Sequence, residues 1–357
     1  MAPSNHSLAT KGIHADHSLA TDAVAADIST TTTFRHPEPE VIADYDKDWD
    51  PVNPSRHVYS REGQPTVQRA EKTKGEDRVT EIYMDDEFPN DGRKVLMWLE
   101  TPLNPFGTSF SIEHYAKKVH AVPGGVLGVD STFAPPGIQD PFKWGADIVM
   151  HSATKYLAGH SDALVGTLSV RTQDEWRKLW NIRTYTGSNS GSLDTWLLLR
   201  SLRTFQVRTS RQFRTATLLV QWLNSLTEEN HSGQEDGTKG LIKKVWHTSL
   251  QTNAEDLIAE DGTKQMVSGP ACFGVLMTKE IYAEYLGSRL ELFFNATSLG
   301  GVESLIEQRK ISDPHCDPCL VRLSIGLEDL EDLKADFIQA FEKIVQIEKE
   351  KENPKTI

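Results

Sequence analysis

Cysteine is scarce: Cys272, Cys316 and Cys319 are the only three in 357 residues. They are too few and too late in the chain for a disulfide framework, which points to a reducing compartment. His315-Cys316-Asp317-Pro318-Cys319 has CxxC spacing, but a closed zinc site needs four ligands and no second matching pair occurs. A zinc-dependent module on His315, Cys316 and Cys319 is therefore the weakest reading. Basic charge is also short, with 38 Lys and Arg against 51 Asp and Glu and a formal charge of -13. That balance disfavours the phosphate contacts on which nucleic-acid binding runs, so no nucleic-acid partner is expected. No run approaches the ~20 apolar residues of a membrane span. The first thirty residues are polar and lack the apolar core of a secretory signal. The expectation is a soluble cytoplasmic protein without a membrane partner.

What is present is enough apolar residue, 38 % of the chain, for one large domain and a smaller one. Residues 1–27 are small and polar without a sustained period, and read as a loosely ordered arm. Thr30 to Pro65, rich in threonine, proline and acid, suggests extended structure packing on a second subunit. From about 94 to 208, apolar strands alternate with amphipathic segments, the pattern of a mainly parallel sheet covered by helices on both faces. Strands are predicted at 95–99, 126–130, 147–150 and 163–170. Helices are predicted at 111–121, 172–182 and in one long stretch from about 192 to 226. A surface loop over 227–240 leads to a C-terminal α+β domain with strands at 272–278 and 320–325 and helices near 279–288 and 328–350. The division expected is an N-terminal arm and inter-subunit segment at 1–75, the large domain at 76–208 and the C-terminal domain at 209–357.

The chemistry concentrates in His151-Ser152-Ala153-Thr154-Lys155-Tyr156-Leu157-Ala158-Gly159-His160-Ser161-Asp162, directly after a strand. A lysine just beyond the C-terminal end of a parallel strand lies on the rim where α/β sheets bind ligands. Its amine can form a Schiff base with an aldehyde if the site lowers its pKa. Ser152 and Thr154 are hydroxyl donors suited to a phosphate. An isolated S-x-T-K is weak, because a loop lysine is commonly just solvated. Twenty-five positions earlier, Asp130 ends another strand in Val129-Asp130-Ser131-Thr132-Phe133-Ala134-Pro135-Pro136. A carboxylate there can hold a pyridine nitrogen protonated and make the ring an electron sink, although an isolated Asp is more often a cap or turn residue. The pairing with Lys155 favours the chemical reading.

These segments, with Glu100-Thr101-Pro102-Leu103-Asn104-Pro105, Ala296-Thr297-Ser298-Leu299-Gly300-Gly301-Val302-Glu303-Ser304-Leu305 and the run from Val321, resemble the cystathionine γ-synthase/γ-lyase family in motif and order. The resemblance covers about 55–70 and 95–345. It implies the fold type I architecture of pyridoxal 5′-phosphate (PLP) enzymes, with a smaller C-terminal domain, assembled as a homodimer or homotetramer. By the same resemblance Lys155 is the Schiff-base lysine and acid/base, Asp130 pairs with the pyridine nitrogen, and Ser152 and Thr154 hold the phosphate. Arg322 would bind the substrate α-carboxylate as a fork, helped by Ser298. Asn104 would lie near the cofactor's phenolic oxygen. Taken alone, Arg322 is an edge residue, Ser298 a helix N-cap and Asn104 a pre-proline turn residue. Tyr59 and Arg61 resemble the pair that reaches the PLP phosphate of the neighbouring subunit, with Gln64 where the family has Asn.

The resemblance breaks between Arg61 and Glu100, where 38 residues intervene, far fewer than in the family. The join falls near 71–78. A strand-to-helix turn of the S-G-x-A-A type that holds the phosphate, and an aromatic residue that stacks on the ring, have no counterpart in the sequence. Two lost phosphate donors at about 1.5–3 kcal/mol each would weaken cofactor binding roughly 10²–10⁴-fold. Lost core helices would also expose apolar surface on the sheet. The leading expectation is cystathionine γ-synthase-like γ-replacement on an O-acyl-homoserine, with cysteine or a related thiol as nucleophile. A cystathionine γ- or β-lyase, or a catalytically impaired paralogue that keeps the fold, remains open.

Overall fold

The computed structural model describes residues 84–88, 92–227, 229–230, 240–259 and 261–352. Within them, β1 (Leu96–Glu100), β2 (Val126–Asp130), β3 (Ile148–Ser152) and β4 (Gly166–Val170) form a sheet in that order. The first three strands are parallel, and β4 is antiparallel to β3. Hydropathy located all four but not the reversal of β4. The chain from 153 to 165 forms the Lys155 loop instead of a crossover helix, so it re-enters the sheet at the end it left.

Strand alternation sends Met97, Leu99, Leu127, Val129 and Val149 to one face, where they pack with Ile112, Tyr115, Ala116 and Val119 of α1 (Ile112–His120). Ser111 Oγ caps α1 by accepting from His114 N at 3.3 Å. Glu113 in the first turn and Lys117, Lys118 and His120 in the last match the helix dipole. On the opposite face Leu96 is 63 % and Trp98 48 % exposed. Trp98 lies over Gly128, where a Cβ would come within 2.5 Å of the indole ring. α2 (Gln173–Thr186) covers only the β3–β4 end of this face, and with Met150 and Leu168 it encloses a cavity of about 760 Å³. Apolar surface of the kind the shortened interval predicts is therefore exposed here. None of the residues of α2 is buried, and a Thr172–Glu175 capping box and a left-handed Gly187 define its ends.

The long helix expected over 192–226 is divided into α3 (Ser192–Leu202) and α4 (Phe205–Ser225). At the break the ladder tightens, with Arg203 N donating to Arg200 O at 3.3 Å and Thr204 N to Ser201 O at 3.1 Å, while Thr204 Oγ1 also donates to Ser201 O at 3.2 Å and accepts from Arg208 Nε at 3.2 Å. The expected boundary at 208/209 falls inside α4. Of the 227–240 loop, residues 228 and 231–239 lie outside the described residues.

The second sheet has the order β5-β6-β9-β8-β7. It comprises β5 (Ile242–Trp246), β6 (Cys272–Met277), β7 (Phe294–Asn295), β8 (Leu305–Gln308) and β9 (Leu320–Ser324). Sequence reading found β6, a continuous apolar run, and β9, which is apolar on either side of Arg322. It missed β5 and β8, whose Lys243-Lys244 and Glu307-Gln308 interrupt the pattern, and the two-residue β7. Beside the sheet lie α5 (Glu280–Arg289) and α6 (Leu330–Glu352). The latter buries Leu333, Phe337, Ala340, Phe341 and Ile344, one stripe at helical spacing. Phe337 meets Phe293 at 5.3 Å, Phe341 at 5.6 Å and Trp222 at 6.2 Å between ring centroids. Phe337→Ala is expected to cost about 3–5 kcal/mol. Denaturant titration would then show a lower midpoint at unchanged slope. A loss below about 1 kcal/mol would show that this aromatic cluster does not hold the unit together.

Candidate active site

Three parallel strands end side by side at Glu100, Asp130 and Ser152, with Glu100 in register with Asp130. Thr132 ties two of these ends together. Its N–H donates to Asp130 Oδ1 at 2.9 Å, and its Oγ1 accepts from Ser152 N at 2.9 Å. Immediately beyond, residues 152–159 coil into a tight loop. Lys155 N donates to Ser152 O at 3.0 Å, Ala158 N to Ala153 O at 2.8 Å and Gly159 N to Lys155 O at 2.7 Å.

This loop is clamped from behind by Arg208 of α4, itself buried. Its guanidinium donates to Tyr156 O at 2.9 Å, Leu157 O at 3.2 Å and Ser201 O at 3.2 Å. The helix break at Thr204 thus gives Arg208 its place against the loop. Gly159 must be glycine here: its φ is +71°, and a Cβ would lie 2.0 Å from Arg208 Nη1.

From the C-terminal sheet, residues 296–302 close over the loop. Val302 N donates to Gly159 O at 2.9 Å, and a Cβ on Gly300 would approach Tyr156 N to 2.7 Å. Lys155, 7 % exposed, donates from Nζ to Ser298 Oγ at 2.8 Å. Ser298 has φ +85°, a left-handed conformation uncommon for a residue with a Cβ. It is not a helix N-cap, since no helix follows it.

Arg322 lies in the middle of β9, buried on every position of that strand. A guanidinium there needs partners, because a buried charge without them is costly. Gly274 is opposite it on β6 and Glu307 on β8. Arg322 contacts Glu307 Oε2 at 3.1 Å and donates to Ser298 O at 2.9 Å and Asn104 Oδ1 at 3.1 Å. Lys155, Ser298, Arg322 and Asn104 are thereby brought into one chain of contacts. Asp130 and Ser152 lie at the strand ends, and Ser152 and Thr154 also line the 760 Å³ cavity under α2. The Thr154 hydroxyl donates to Val165 O at 3.3 Å and accepts from Val165 N at 3.0 Å, so a phosphate contact would require it to turn from that strand. Tyr59 and Arg61 lie outside the described residues.

Sequence reading did not single out Glu100, Glu307 or Arg309. Burial, and then the charge of Asp130, push the Glu100 carboxyl up to about 7. Glu307, 1 % exposed, accepts from Arg309 Nη1 at 2.6 Å and from the Ser312 hydroxyl. No local motif marks it, and only the β8–β9 register shows that it faces Arg322. Burial also lowers the His151 pKa, leaving that ring neutral near pH 7. The CxxC cysteines are free thiols, and Cys316 Sγ lies 3.3 Å from Asp313 Oδ2. Among the described residues no group of three or more His, Cys, Asp or Glu could hold a metal ion. None of the described helices is long and apolar enough to cross a membrane.

A buried strand-end lysine, a carboxylate at the end of the adjacent strand and a buried arginine fork are the features of a PLP enzyme site, and residues 89–342 match the Cys/Met metabolism PLP-dependent enzyme family. The chain belongs to that family. It is 34 % identical over 259 residues to the cystathionine gamma-lyase of Dictyostelium discoideum, covering 70 % of this chain and 63 % of the relative. Against the cystathionine gamma-synthase of Escherichia coli K12 it is 34 % identical over 266 residues, covering 69 % and 62 %. The crystal structure of apo CalE6, a methionine gamma lyase from Micromonospora echinospora, superposes with a TM-score of 0.60 at 33 % identity, covering 69 % of this chain and 63 % of that one. The chain therefore spans somewhat less than two thirds of the length of these relatives.

The residues present fit PLP at its reactive end. A buried amine and a strand-end carboxylate supply the partners for an aldehyde and a pyridine nitrogen, and the Ser152 hydroxyl is available on the cavity wall.

Glu100 gives the strand-end cluster a pH signature. Between its ordinary 4.5 and about 7 the folded chain keeps the proton that the unfolded chain releases. The associated stability is fully present below the lower value and is lost as pH rises through the higher. Glu100→Gln, neutral throughout, is expected to abolish this fall, so the variant gains on wild type from about pH 5 to about pH 8. Denaturant midpoints across that range check it, and parallel profiles for the two chains would contradict it.

Proposed function

We propose that this chain is a PLP-dependent enzyme of sulfur amino-acid metabolism that carries out cystathionine γ-synthase-type γ-replacement on an O-acyl-homoserine, with cysteine or a related thiol as nucleophile. The observation that carries the reading is the contact chain Lys155–Ser298–Arg322. It sets a buried amine and a buried guanidinium on the two sides of one serine, Oγ facing the amine and the carbonyl facing the guanidinium.

PLP, when bound, supplies an electron sink that stabilises negative charge developing on substrate carbon. Lys155 would hold the cofactor through Nζ, and the same amine, once released, would move protons at the substrate carbons. Asp130 would keep a proton on the pyridine nitrogen. Ser152 would donate to the phosphate. Arg322 would bind the substrate α-carboxylate, its planar fork already oriented by Asn104 and Ser298. Burial of Lys155 by the 296–302 segment limits water at the amine, which favours transfer between carbons over loss to solvent. Tyr59 and Arg61 are proposed to complete the phosphate site across a homodimer or homotetramer interface.

The visible spectrum of the purified chain with added PLP tests the cofactor site. An absorption band that borohydride reduces, with the label mapped to Lys155 and absent from Lys155→Ala, is the expected result. No band at saturating PLP would contradict the reading. Incubation of the loaded protein with O-acetyl- or O-succinyl-homoserine and cysteine should then yield cystathionine. Breakdown of cystathionine without its formation would reassign the chain to the lyases.

A further inference from the structure

Arg322 shares its carboxylate partner. Glu307 Oε2 receives Arg322 at 3.1 Å and Arg309 at 2.6 Å, while the Ser312 hydroxyl binds Oε1. All three charged side chains are sequestered: Glu307 is 1 %, Arg322 5 % and Arg309 12 % exposed. Arg309 follows β8 directly, in the single turn Arg309–Ile311, and its Nε is buried without a hydrogen-bond partner. This guanidinium is therefore held by one carboxylate oxygen of Glu307 and by the Cys316 side chain rather than by a full set of carboxylate acceptors.

The charge count has a consequence for any anion that approaches Arg322. Arg322 and Glu307 alone would form a neutral pair, and a second carboxylate would have to compete with Glu307 for the same guanidinium at close range. Arg309 makes the trio net positive by one. With Glu307 neutralised from its far side, Arg322 keeps a full charge for a ligand on the side of Asn104 and Ser298. Other ionisable groups face this region, but none replaces that function. Glu100 adds negative charge near Arg322, Lys155 is bonded to Ser298, and Asp313, which Arg309 affects only weakly, is bonded to His315 N and Cys316.

We infer that Arg309 is a positioning residue for substrate: it saturates Glu307 so that Arg322 can bind the α-carboxylate of an amino acid. The inference rests on the reading of Arg322 given above and adds to it a residue that never touches the ligand.

The probe is L-alanine, compared with ethylamine, which is the same molecule without the carboxylate. Both are titrated calorimetrically into the full chain as purified and again with PLP added, and the ratio of the two affinities isolates the carboxylate contribution. Wild type is expected to favour alanine. Arg309→Met should cut the ratio roughly tenfold or more while leaving ethylamine unaffected, and Arg309→Lys should stay within about threefold of wild type. The double variant Glu307→Gln/Arg309→Met has the wild-type net charge and should recover the ratio. A merely structural role predicts the reverse, because the double variant removes more buried contacts. An unchanged ratio in Arg309→Met, or a further fall in the double variant, overturns the inference. If Arg309→Met does not fold, Glu307→Gln alone decides: it raises the net charge and must raise the ratio, and a lower ratio overturns the inference. A wild-type chain that does not prefer alanine overturns the reading of Arg322 itself, and Arg309 with it. In a chain with that preference, only the Arg309 and Glu307 variants bear on the present inference.

Discussion

The structure depends on the seating of the Lys155 loop against the 296–302 segment. Two sheets meet there, and their closest approach is made by backbone: Val302 N on Gly159 O, and the bare Cα of Gly300 against Tyr156 N. Such an approach leaves no room for side chains, so the two sheets are held at a fixed separation. Lys155 Nζ and Ser298 Oγ fall within hydrogen-bond distance as a result. Arg208 on one side of the loop and Ser324, whose Oγ accepts from Gly300 N at 2.9 Å, on the other hold the two backbones in place. A site built this way is a property of the junction and belongs to neither sheet alone.

Burying charge at such a junction is expensive, and the chain meets the cost differently on its two sides. On the C-terminal side, Arg322 and Arg309 converge on Glu307, so the carboxylate is fully paired. At the strand ends, Glu100 and Asp130 stand side by side, burial and the Asp130 charge outweigh the pull of Arg322, and Glu100 takes up a proton at higher pH than usual. The second arrangement is the one a cationic ring nitrogen would relieve, because a positive charge beside Asp130 reduces the repulsion that Glu100 feels.

Much of this was legible in the sequence, for identifiable reasons. Lys155, Asp130, Asn104, Ser298 and Arg322 sit in contiguous motifs, β6 is an unbroken apolar run, and β9 is apolar around Arg322. The helix break at Thr204 was not legible, because it depends on Arg208 reaching a loop some fifty residues away in sequence. Glu307 and Arg309 were invisible for a related reason: their meaning comes from the register of β8 against β9, and an LIEQRK segment carries no local sign of it. The exposed sheet face was anticipated from the short interval between Arg61 and Glu100. It appears as Leu96 and Trp98 in solvent, opposite the well-packed face under α1.

The central claim is that the junction closes in this chain even though the chain spans under two thirds of its relatives' length. Pulsed labelling of lysine amines on the folded protein, read residue by residue by mass spectrometry, tests it most directly. Lys117 and Lys143, with side chains 73 % and 74 % exposed, set the rate for open amines. Lys155 is expected to be labelled at least about tenfold more slowly than either, because reagent reaches it only when the junction opens. Labelling of Lys155 at the rate of Lys117 and Lys143 would show that the two sheets stand apart and that the active site is not assembled.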